Sequence, residues 1–340
     1  MTAERTRPTV LYITAEQSRA LVTGDEALEM AERVFRWHAQ EGSVVIPHPS
    51  VLSYVVPEPS ARYRIKVAAI PAVPVAGARV TGWADERAGS GPGAGSGGRF
   101  NTRFVVLSDP RTGFPLAVID EHWTYNLRTS AAGMAAVRLL GRPESRVVGL
   151  VGAGQIATTC AEMVSRMFRL DEVRVTSRRP ESRQVFAARM AEQLGVRFEV
   201  RDSVEETVRG ADIVITASSA DAVLVPEIGW LAPGSTTCAL GMGEASAQVY
   251  NAADKAIVSD YEVVQELPDV RHLLESGQVA RETIWSDVAE IVAGSKAGRT
   301  SPDERIFVRA GGLVSQDVAL CHLVYTRALE RGLGTAFPVG

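Results

Sequence analysis

An apolar run that passes directly into a glycine-rich turn, at residues 147–157, constrains the fold more than any other feature of the sequence. The run reads VVGLV, and the turn that follows it has the pattern GxGxxA. The first glycine allows a tight turn, the second lets a pyrophosphate approach the backbone, and the small third residue lets the next helix pack against the strand. The positive end of that helix then faces the phosphates. The predicted dinucleotide contacts in this segment are Gly152, Gly154, Gln155 and Ile156.

From residue 147 onward, apolar runs alternate with helical patterns, which is typical of a parallel, doubly wound sheet. Thr216 and Ser218 follow the apolar run at 213–216, and we predict that they lie on the cofactor side because small residues there avoid a clash. The residues before 120 mix apolar runs with one amphipathic pattern, at 25–40, and predict an α+β region. The predicted class is therefore α/β, with a Rossmann doubly wound parallel sheet and a second, α+β domain.

The end of the second Rossmann strand indicates which nicotinamide cofactor is bound. NAD sites usually have an Asp or Glu at this point, for the ribose 2′-hydroxyl. This chain has instead Ser177, Arg178 and Arg179, which offer a hydroxyl and two guanidinium groups suited to a 2′-phosphate. The segment favours NADP(H). NAD(H) remains possible, since an exposed basic turn with no role in cofactor binding would have the same sequence.

Length, charge and cysteine usage limit the remaining classes. A chain of 340 residues predicts two domains, and its net charge of −4 gives no reason to expect a nucleic acid or anionic membrane partner. No apolar run is long enough to span a membrane, and residues 1–8 do not resemble a signal peptide. The three separated cysteines have no metal-ligand spacing, so we expect no metal and a cytoplasmic protein with reduced thiols. Residues 86–99, rich in Gly and Ser, predict a flexible surface loop, with a lid over the site as the alternative.

Several motifs, in order along nearly the whole chain, together resemble the ornithine cyclodeaminase/μ-crystallin family. They are RIKV at 64–67, TGFPLAVID at 112–120, TYNLRTSAAG at 124–133, the glycine-rich turn, and the segment from Gly298 to Leu320 that contains VRAGGLVSQDVAL. The resemblance implies a substrate-binding and dimerisation domain made of residues 1–122 and 311–340, and a Rossmann domain at 123–310. It also implies a homodimer that acts on a small amino or imino acid.

The resemblance assigns roles to individual residues. Arg128 matches the arginine that binds the substrate carboxylate, a task that suits a planar guanidinium. Lys66 matches the active-site lysine that orients the substrate and assists proton transfer, although a lysine at the edge of a sheet would give the same pattern. Thr129 and Asp317 match positions near the cofactor, with helix capping as the alternative for Asp317. His48 falls near a second arginine of the family and either replaces it or lies in an exposed loop.

One segment departs from the family pattern. Cyclodeaminases of the family carry an acidic residue after a glycine motif, and here Gly243 occupies that position, with Met242 before it and Glu244 after it. Met242 is predicted to contact the cofactor, and Glu244 is the candidate for the displaced acid. The altered pattern favours reduction of a C=N bond, or oxidation of the matching amino acid, over cyclodeamination. A cyclodeaminase with recycled NAD⁺, an opine-like dehydrogenase and a non-enzymatic NADPH-binding protein remain as alternatives.

Overall fold

The computed structural model describes residues 9–56, 61–84, 100–220 and 222–339, so the predicted loop at 86–99 lies outside the described residues. The chain forms two compact units. The first contains residues up to 23, residues 40–125 and residues from 314 onward, and the second contains residues 24–39 and 126–313. Each unit is built around one sheet.

The first unit has a seven-stranded, mostly antiparallel sheet with the strand order β15-β1-β6-β5-β4-β3-β2. Its strands are β1 (Thr9–Ile13), β2 (Leu52–Val56), β3 (Ala61–Ile70), β4 (Val75–Ala84), β5 (Phe100–Ser108), β6 (Pro115–Asp120) and β15 (Thr335–Pro338). Strand β4 pairs with β3 and β5 along nearly its whole length and is an interior strand of the sheet.

Two helices accompany this sheet. Helix α1 (Ala15–Leu21) has Thr14 as its N-cap residue, and the Thr14 side chain forms a capping box with Gln17. Helix α11 (Val314–Arg331) packs across β3, β4 and β5. A β-carbon at Gly77 would lie 2.8 Å from the Val318 side chain, so this glycine allows α11 to approach β4 closely.

The second unit has an eight-stranded sheet in which every pair is parallel, with the order β13-β12-β14-β11-β10-β7-β8-β9. Its strands are β7 (Val147–Val151), β8 (Glu172–Thr176), β9 (Arg197–Val200), β10 (Ile213–Thr216), β11 (Thr236–Ala239), β12 (Lys255–Val258), β13 (Ile284–Asp287) and β14 (Ile306–Arg309). Strands β8 and β9 follow β7 on one side of it, and the chain then crosses back so that β10 pairs with β7 on the other side. Ligands bind at such a switch point, beyond the carboxyl ends of the strands.

The helices of the second unit cover both faces of a doubly wound sheet, as the sequence predicts. They are α2 (Gly24–His38), α3 (Thr124–Leu140, of which the first two residues belong to the first unit), α4 (Gln155–Met167), α5 (Pro180–Leu194), α6 (Val204–Val208), α7 (Ala247–Ala252), α8 (Tyr261–Val264), α9 (Pro268–Glu275) and α10 (Val288–Val292). No described helix is long and apolar enough to cross a membrane.

The structure differs from the predicted domain bounds in one respect. We predicted that the amphipathic segment at 25–40 belongs to the N-terminal domain, but it forms α2 and packs with the second unit, against α4 and α10. Its buried residues are Ala27, Leu28, Ala31, Val34 and Phe35. An amphipathic pattern indicates that one face is covered but not which element covers it.

Candidate active site

The turn between β7 and α4 has the geometry that the glycine pattern predicts. Gly152 has a φ of 134°, a conformation that favours glycine, and a β-carbon there would overlap the carbonyl oxygen of Ala217. Its N–H donates to the carbonyl oxygen of Thr176 at 2.8 Å, which joins the turn to the end of β8. No larger residue fits at this position without moving the end of β10.

The first turn of α4 is open. Gly154 is the N-cap residue and no side chain caps the helix there. A β-carbon at Gly154 would meet nothing within 4 Å, whereas Ala157 is fully buried. The Ser130 hydroxyl donates to the carbonyl oxygen of Ile156 at 3.0 Å and fixes the start of α4 against α3. The exposed glycine and the uncapped backbone N–H groups fit a pyrophosphate.

The residues after β8 present positive charge to solvent. Arg178 and Arg179 are exposed, and neither has an ion-pair partner among the residues that the structure describes. The Ser177 hydroxyl donates to the carbonyl oxygen of Arg179 at 3.2 Å. Arg183, by contrast, is buried and donates to the carboxylate of Asp202 at 2.5 Å, so it braces the segment. The exposed guanidiniums of Arg178 and Arg179 fit a 2′-phosphate.

Glu244 connects three chain segments at the carboxyl ends of the strands. Its side chain is buried and accepts hydrogen bonds from the Thr216 hydroxyl at 2.7 Å, from the Ser218 N–H at 2.8 Å and from the Gly241 N–H at 2.7 Å. Two further N–H groups, of Leu224 and Val225, donate to its backbone carbonyl. The carboxylate predicted as a candidate acid is therefore engaged by three donors.

The neighbouring residues form a braced loop. Met242 is 46% exposed, and the N–H of Gly243 donates to the Asp269 carboxylate at 3.0 Å. Arg309, at the end of β14, donates to the same carboxylate from Nε at 2.9 Å. Burial acts to raise the pKa of Asp269, but the Arg309 charge and these hydrogen bonds lower it below its usual value. An ionised Asp269 thus fixes the loop that presents Met242.

The alanine-rich segment at 130–140 predicts a helix that begins at Ser130, but α3 begins at Thr124. Arg128 and Thr129 therefore lie in its second turn. The Arg128 side chain is 6% exposed. A β-carbon at Gly312 would overlap its Nη1 atom, so the guanidinium occupies the space beside that glycine. The buried guanidinium is fixed in position, as a carboxylate fork requires.

In the first unit, Lys66 lies directly opposite Arg79 on the antiparallel neighbour β4. Both residues are on the face of the sheet that α11 covers, since Gly77 and Arg79 contact α11 and side chains alternate along a strand. Lys66 is half-buried and Arg79 is 6% exposed. His48 lies in the exposed loop before β2, joined to Pro49 by a cis peptide bond.

Arg79 forms a buried charge cluster with Glu121 and Asp317. Its Nε is 2.7 Å from both carboxylate oxygens of Glu121 and 3.5 Å from Oδ1 of Asp317. Burial and the Asp317 carboxylate raise the pKa of Glu121 to about 8, against the lowering effect of Arg79. The two carboxyl groups also share a hydrogen bond, which requires a proton on one of them.

Sequence reasoning missed Arg79, Glu121 and Gly312. Residues 75–84 give only a weak strand signal, because Gly77, Arg79 and Thr81 interrupt the apolar alternation, so the position of Arg79 on a covered face was not predicted. Glu121 and Gly312 give no local signal, because only the fold brings their partners to them. The described residues include no group of three His, Cys, Asp or Glu side chains that could hold a metal ion.

Comparison with known proteins places this geometry in a family. The sequence model of the ornithine cyclodeaminase/mu-crystallin family matches residues 80–332. An alanine dehydrogenase from Archaeoglobus fulgidus is 30% identical over 332 residues, 96% of this chain and 97% of that protein. A Δ1-pyrroline-2-carboxylate reductase from Bacillus cereus is 29% identical over 68% of this chain and 72% of its own length.

Two solved structures share the fold over nearly the whole chain. The Δ1-pyrroline-2-carboxylate reductase of Thermococcus litoralis, in complex with NADH and L-proline, is 26% identical, with a TM-score of 0.85 over 96% of this chain and 99% of that one. An archaeal alanine dehydrogenase dimer with bound NAD is 27% identical, with a TM-score of 0.84 over 97% of this chain and 99% of that one. The similarity confirms the predicted Rossmann fold and the predicted family.

Proposed function

This chain belongs to the ornithine cyclodeaminase/mu-crystallin family, and from that membership we propose that it is an NADP(H)-dependent oxidoreductase. It reduces the C=N bond of a small imino acid, or oxidises the matching amino acid in the reverse direction. The observation that carries the proposal is the open turn between β7 and α4, at the switch point of a parallel sheet. The relatives named as a dehydrogenase and a reductase of amino and imino acids support the same reaction class.

The second unit offers a complete set of groups for the cofactor. Gly152, Gly154 and the first N–H groups of α4 would hold the pyrophosphate, and Arg178 and Arg179 would bind the 2′-phosphate. When bound, the nicotinamide supplies or accepts the hydride. The 2′-phosphate contact is our reason for preferring NADP(H), although the two solved relatives contain NADH and NAD.

The substrate anchors follow from charge and burial. We assign the substrate carboxylate to Arg128, because a buried guanidinium presents two parallel donors. Lys66 is half-buried and is assigned to the transfer of the proton that reaches the substrate nitrogen during reduction. Reduction then adds one hydride to carbon and one proton to nitrogen, and consumes one reduced cofactor per product.

Cyclodeamination is the weaker candidate. It needs an acid near the substrate nitrogen to help expel ammonia, and Glu244 is the residue that follows the family's acidic position. Its carboxylate already accepts hydrogen bonds from Thr216, Ser218 and Gly241. Because one buried side chain joins Thr216, Ser218 and Gly241 in this way, a structural role for Glu244 is favoured.

Parallel assays of reduced cofactor and ammonia distinguish these reactions. A reductase oxidises NADPH in proportion to product when an imino acid is supplied, or a 2-oxo acid with an amine. A cyclodeaminase releases ammonia from ornithine or lysine with no net change in the cofactor. We expect stoichiometric NADPH oxidation and little ammonia from ornithine. Catalytic release of ammonia from ornithine would reject the proposal.

We also propose that the first unit binds a second copy of this chain. The sheet face that α11 does not cover is apolar, and it includes Leu52 at 58% exposed, Tyr54 at 50% and Val67 at 38%. A continuous apolar surface of this kind usually marks a protein interface, and the archaeal relative is described as a dimer. Light scattering should show a dimer that Leu52→Glu with Tyr54→Glu dissociates. Leu329→Glu, at an exposed leucine of α11, should leave it intact.

The cysteines support the proposed cytoplasmic location. Cys160, Cys238 and Cys321 are all buried and none forms a disulfide. Burial raises the pKa of Cys160 to about 12, so this thiol stays protonated and unreactive. A chain with three buried thiols suits a reducing compartment.

A further inference from the structure

One face of the seven-stranded sheet concentrates positive charge. On this face, Lys66 of β3 lies opposite Arg79 of β4. Two residues further along β4, Thr81 lies between Arg64 of β3 and Arg103 of β5. Because side chains alternate along each strand, all five residues point to the face that carries Arg79. Four cations therefore occupy neighbouring positions on three adjacent strands.

The described carboxylates of this face form no ion pair with Arg64 or Arg103. Glu121 and Asp317 both contact Arg79. Asp120 pairs with Phe104 of β5 and therefore points to the opposite face, where its carboxylate accepts from the N–H of His122 at 2.9 Å and lies 2.6 Å from its Nδ1. Neither Arg64 nor Arg103 has a carboxylate partner among the described residues. The described residues of this face thus carry a local excess of positive charge, although the whole chain has a net charge of −4.

Aromatic rings hold the two unpaired guanidiniums in place. The Cζ of Arg64 is 5.1 Å from the centre of the Trp83 ring, and the Cζ of Arg103 is 3.9 Å from the centre of the Tyr125 ring. The Nε of Arg103 donates to the side chain of Asn101 at 3.2 Å. Stacking on an aromatic face orients a guanidinium and leaves its terminal N–H groups available.

The arrangement is electrostatically unfavourable without an anion. Like charges on directly opposite strand positions destabilise a sheet. Burial and the neighbouring Arg79 charge lower the pKa of Arg64, which records the cost of holding this cation here. A bound anion would relieve that repulsion.

We propose that Arg64 and Arg103 bind a second carboxylate of the substrate, so that the enzyme acts on dicarboxylic imino or amino acids. The inference rests on the proposed function, because it assigns the side-chain group of that same substrate. Strands lie about 4.8 Å apart, so the α-carbons of these two arginines, separated by β4, are about 10 Å apart and their long side chains can converge on one anion. Lys66 lies two residues, or about 7 Å, from Arg64 along β3.

Guanidinium chemistry favours a carboxylate as this second group. Each guanidinium presents a planar pair of N–H donors that matches the two oxygens of a carboxylate. A neutral or apolar substrate side chain would leave both cations without a counter-charge on a partly covered face. A cationic side chain, as in ornithine, would be repelled.

Turnover of matched 2-oxo acids tests the proposal. In the presence of ammonium and NADPH, the rate of reduction is compared within two pairs of acids. The first pair is 2-oxoglutarate and 2-oxopentanoate, and the second is oxaloacetate and 2-oxobutyrate. The two acids of a pair have the same number of carbon atoms. The dicarboxylic acid of each pair should have a kcat/KM at least about tenfold higher, as expected for one charge-assisted contact. A preference for the monocarboxylic acids would overturn the proposal.

Charge-removing variants assign the effect to residues. Arg64→Gln and Arg103→Gln should each lower kcat/KM for the dicarboxylic acids about tenfold or more, and leave that for the monocarboxylic acids within about twofold. Arg111→Gln makes the same change in net charge at an exposed turn of the same unit, where Arg111 pairs with Asp109, and should change neither. Equal losses of kcat/KM for the dicarboxylic and the monocarboxylic acids would show that the two arginines have only a structural role.

Binding measurements separate this proposal from the proposed function. Calorimetry with 2-oxoglutarate and 2-oxopentanoate needs no turnover, and the dicarboxylic acid should bind more tightly to the wild type but not to Arg64→Gln. If no 2-oxo acid is reduced but this binding pattern holds, the anion site stands and the reaction assignment fails. If NADPH is consumed but both acids bind equally, the anion site fails and the reaction assignment stands.

Discussion

The guanidinium of Arg128 lies against Gly312, in the space that a side chain at position 312 would occupy. The three atoms that would lie nearest to a β-carbon at that position all belong to the Arg128 guanidinium, and the backbone of Gly312 is not in the left-handed region. The glycine is therefore required by the position of the arginine and not by the path of the chain.

Gly312→Ala should displace the Arg128 guanidinium and raise the KM of the substrate about tenfold or more, as for loss of a charge-assisted contact. Steady-state kinetics measure this, with Gly229→Ala, at an exposed glycine with open space around it, as the control. Because both changes act on one contact, the double variant with Arg128→Ala should be no worse than Arg128→Ala alone. Additive losses would show that Gly312 acts independently of Arg128.

Replacement of Arg178 and Arg179 by alanine should weaken NADPH binding about tenfold or more and leave NADH within about twofold, because only NADPH carries the 2′-phosphate. Fluorescence titration of each reduced cofactor gives the two dissociation constants. Arg189→Ala removes an exposed arginine of α5 and should change neither. A wild type that binds NADH more tightly than NADPH would contradict the cofactor assignment.

Lys66→Met keeps the apolar stem and removes the ammonium, and should lower kcat by about 100-fold or more if this group delivers the proton. Lys296→Met, at an exposed lysine, is the control. Circular dichroism establishes that the variant is folded. Near-normal turnover would show that Lys66 does not deliver the proton and only packs along β3.

Glu121 should make stability depend on pH. Its pKa is raised to about 8 in the folded protein, mainly by burial, while the unfolded chain releases this proton near the usual value of a glutamate. The folded state therefore binds more protons between those two values, so the stability that this group contributes is fully present below the lower one and is lost as the pH rises through about 8.

Glu121→Gln should remove that dependence. Urea unfolding at several pH values measures the free energy of unfolding, and the difference between the wild type and the variant isolates this group. Glu330→Gln, at an exposed position of α11, should preserve the wild-type slope. Parallel curves for the wild type and Glu121→Gln would mean that the carboxyl group is ionised throughout this range.

Glu244→Gln should lower the melting temperature, because an amide offers one acceptor oxygen where the carboxylate accepts three hydrogen bonds. Differential scanning calorimetry measures the shift, and Glu227→Gln, at an exposed glutamate of the same unit, is the control. An unchanged melting temperature together with lost activity would instead identify Glu244 as a catalytic acid.

Local signals explain what the sequence could predict. The turn at residues 152–154 and the pattern of β7 and α4 depend on neighbours in sequence, and they predicted the Rossmann fold. The family and the reaction class, predicted from the resemblance of several motifs along the chain, are confirmed by the relatives. Strand β4 was not predicted, because small residues interrupt its apolar alternation, although it is an interior strand of its sheet. The start of α3 was placed six residues late, because Thr, Tyr and Asn in its first turn are weak helix formers.

The charge cluster could not be predicted, because its members are distant in sequence. Arg79 and Glu121 are 42 residues apart, and Asp317 comes from α11 near the other end of the chain. Asp317 was predicted near the cofactor from the resemblance alone, and its role there, like those of Lys66 and His48, stays a prediction. A single sequence does not show which charged residues meet on one face of a sheet.

Helix α2 has a consequence for how the protein is made. Its partners α4 and α10 lie far downstream, and α10 ends at Val292. At ribosomal rates of about 5–20 residues per second, the apolar face of α2 leaves the ribosome on the order of tens of seconds before its covering is complete. We therefore expect nascent chains that stop before α10 to need a chaperone at this helix, and the separately expressed segment 126–313 to be unstable without it.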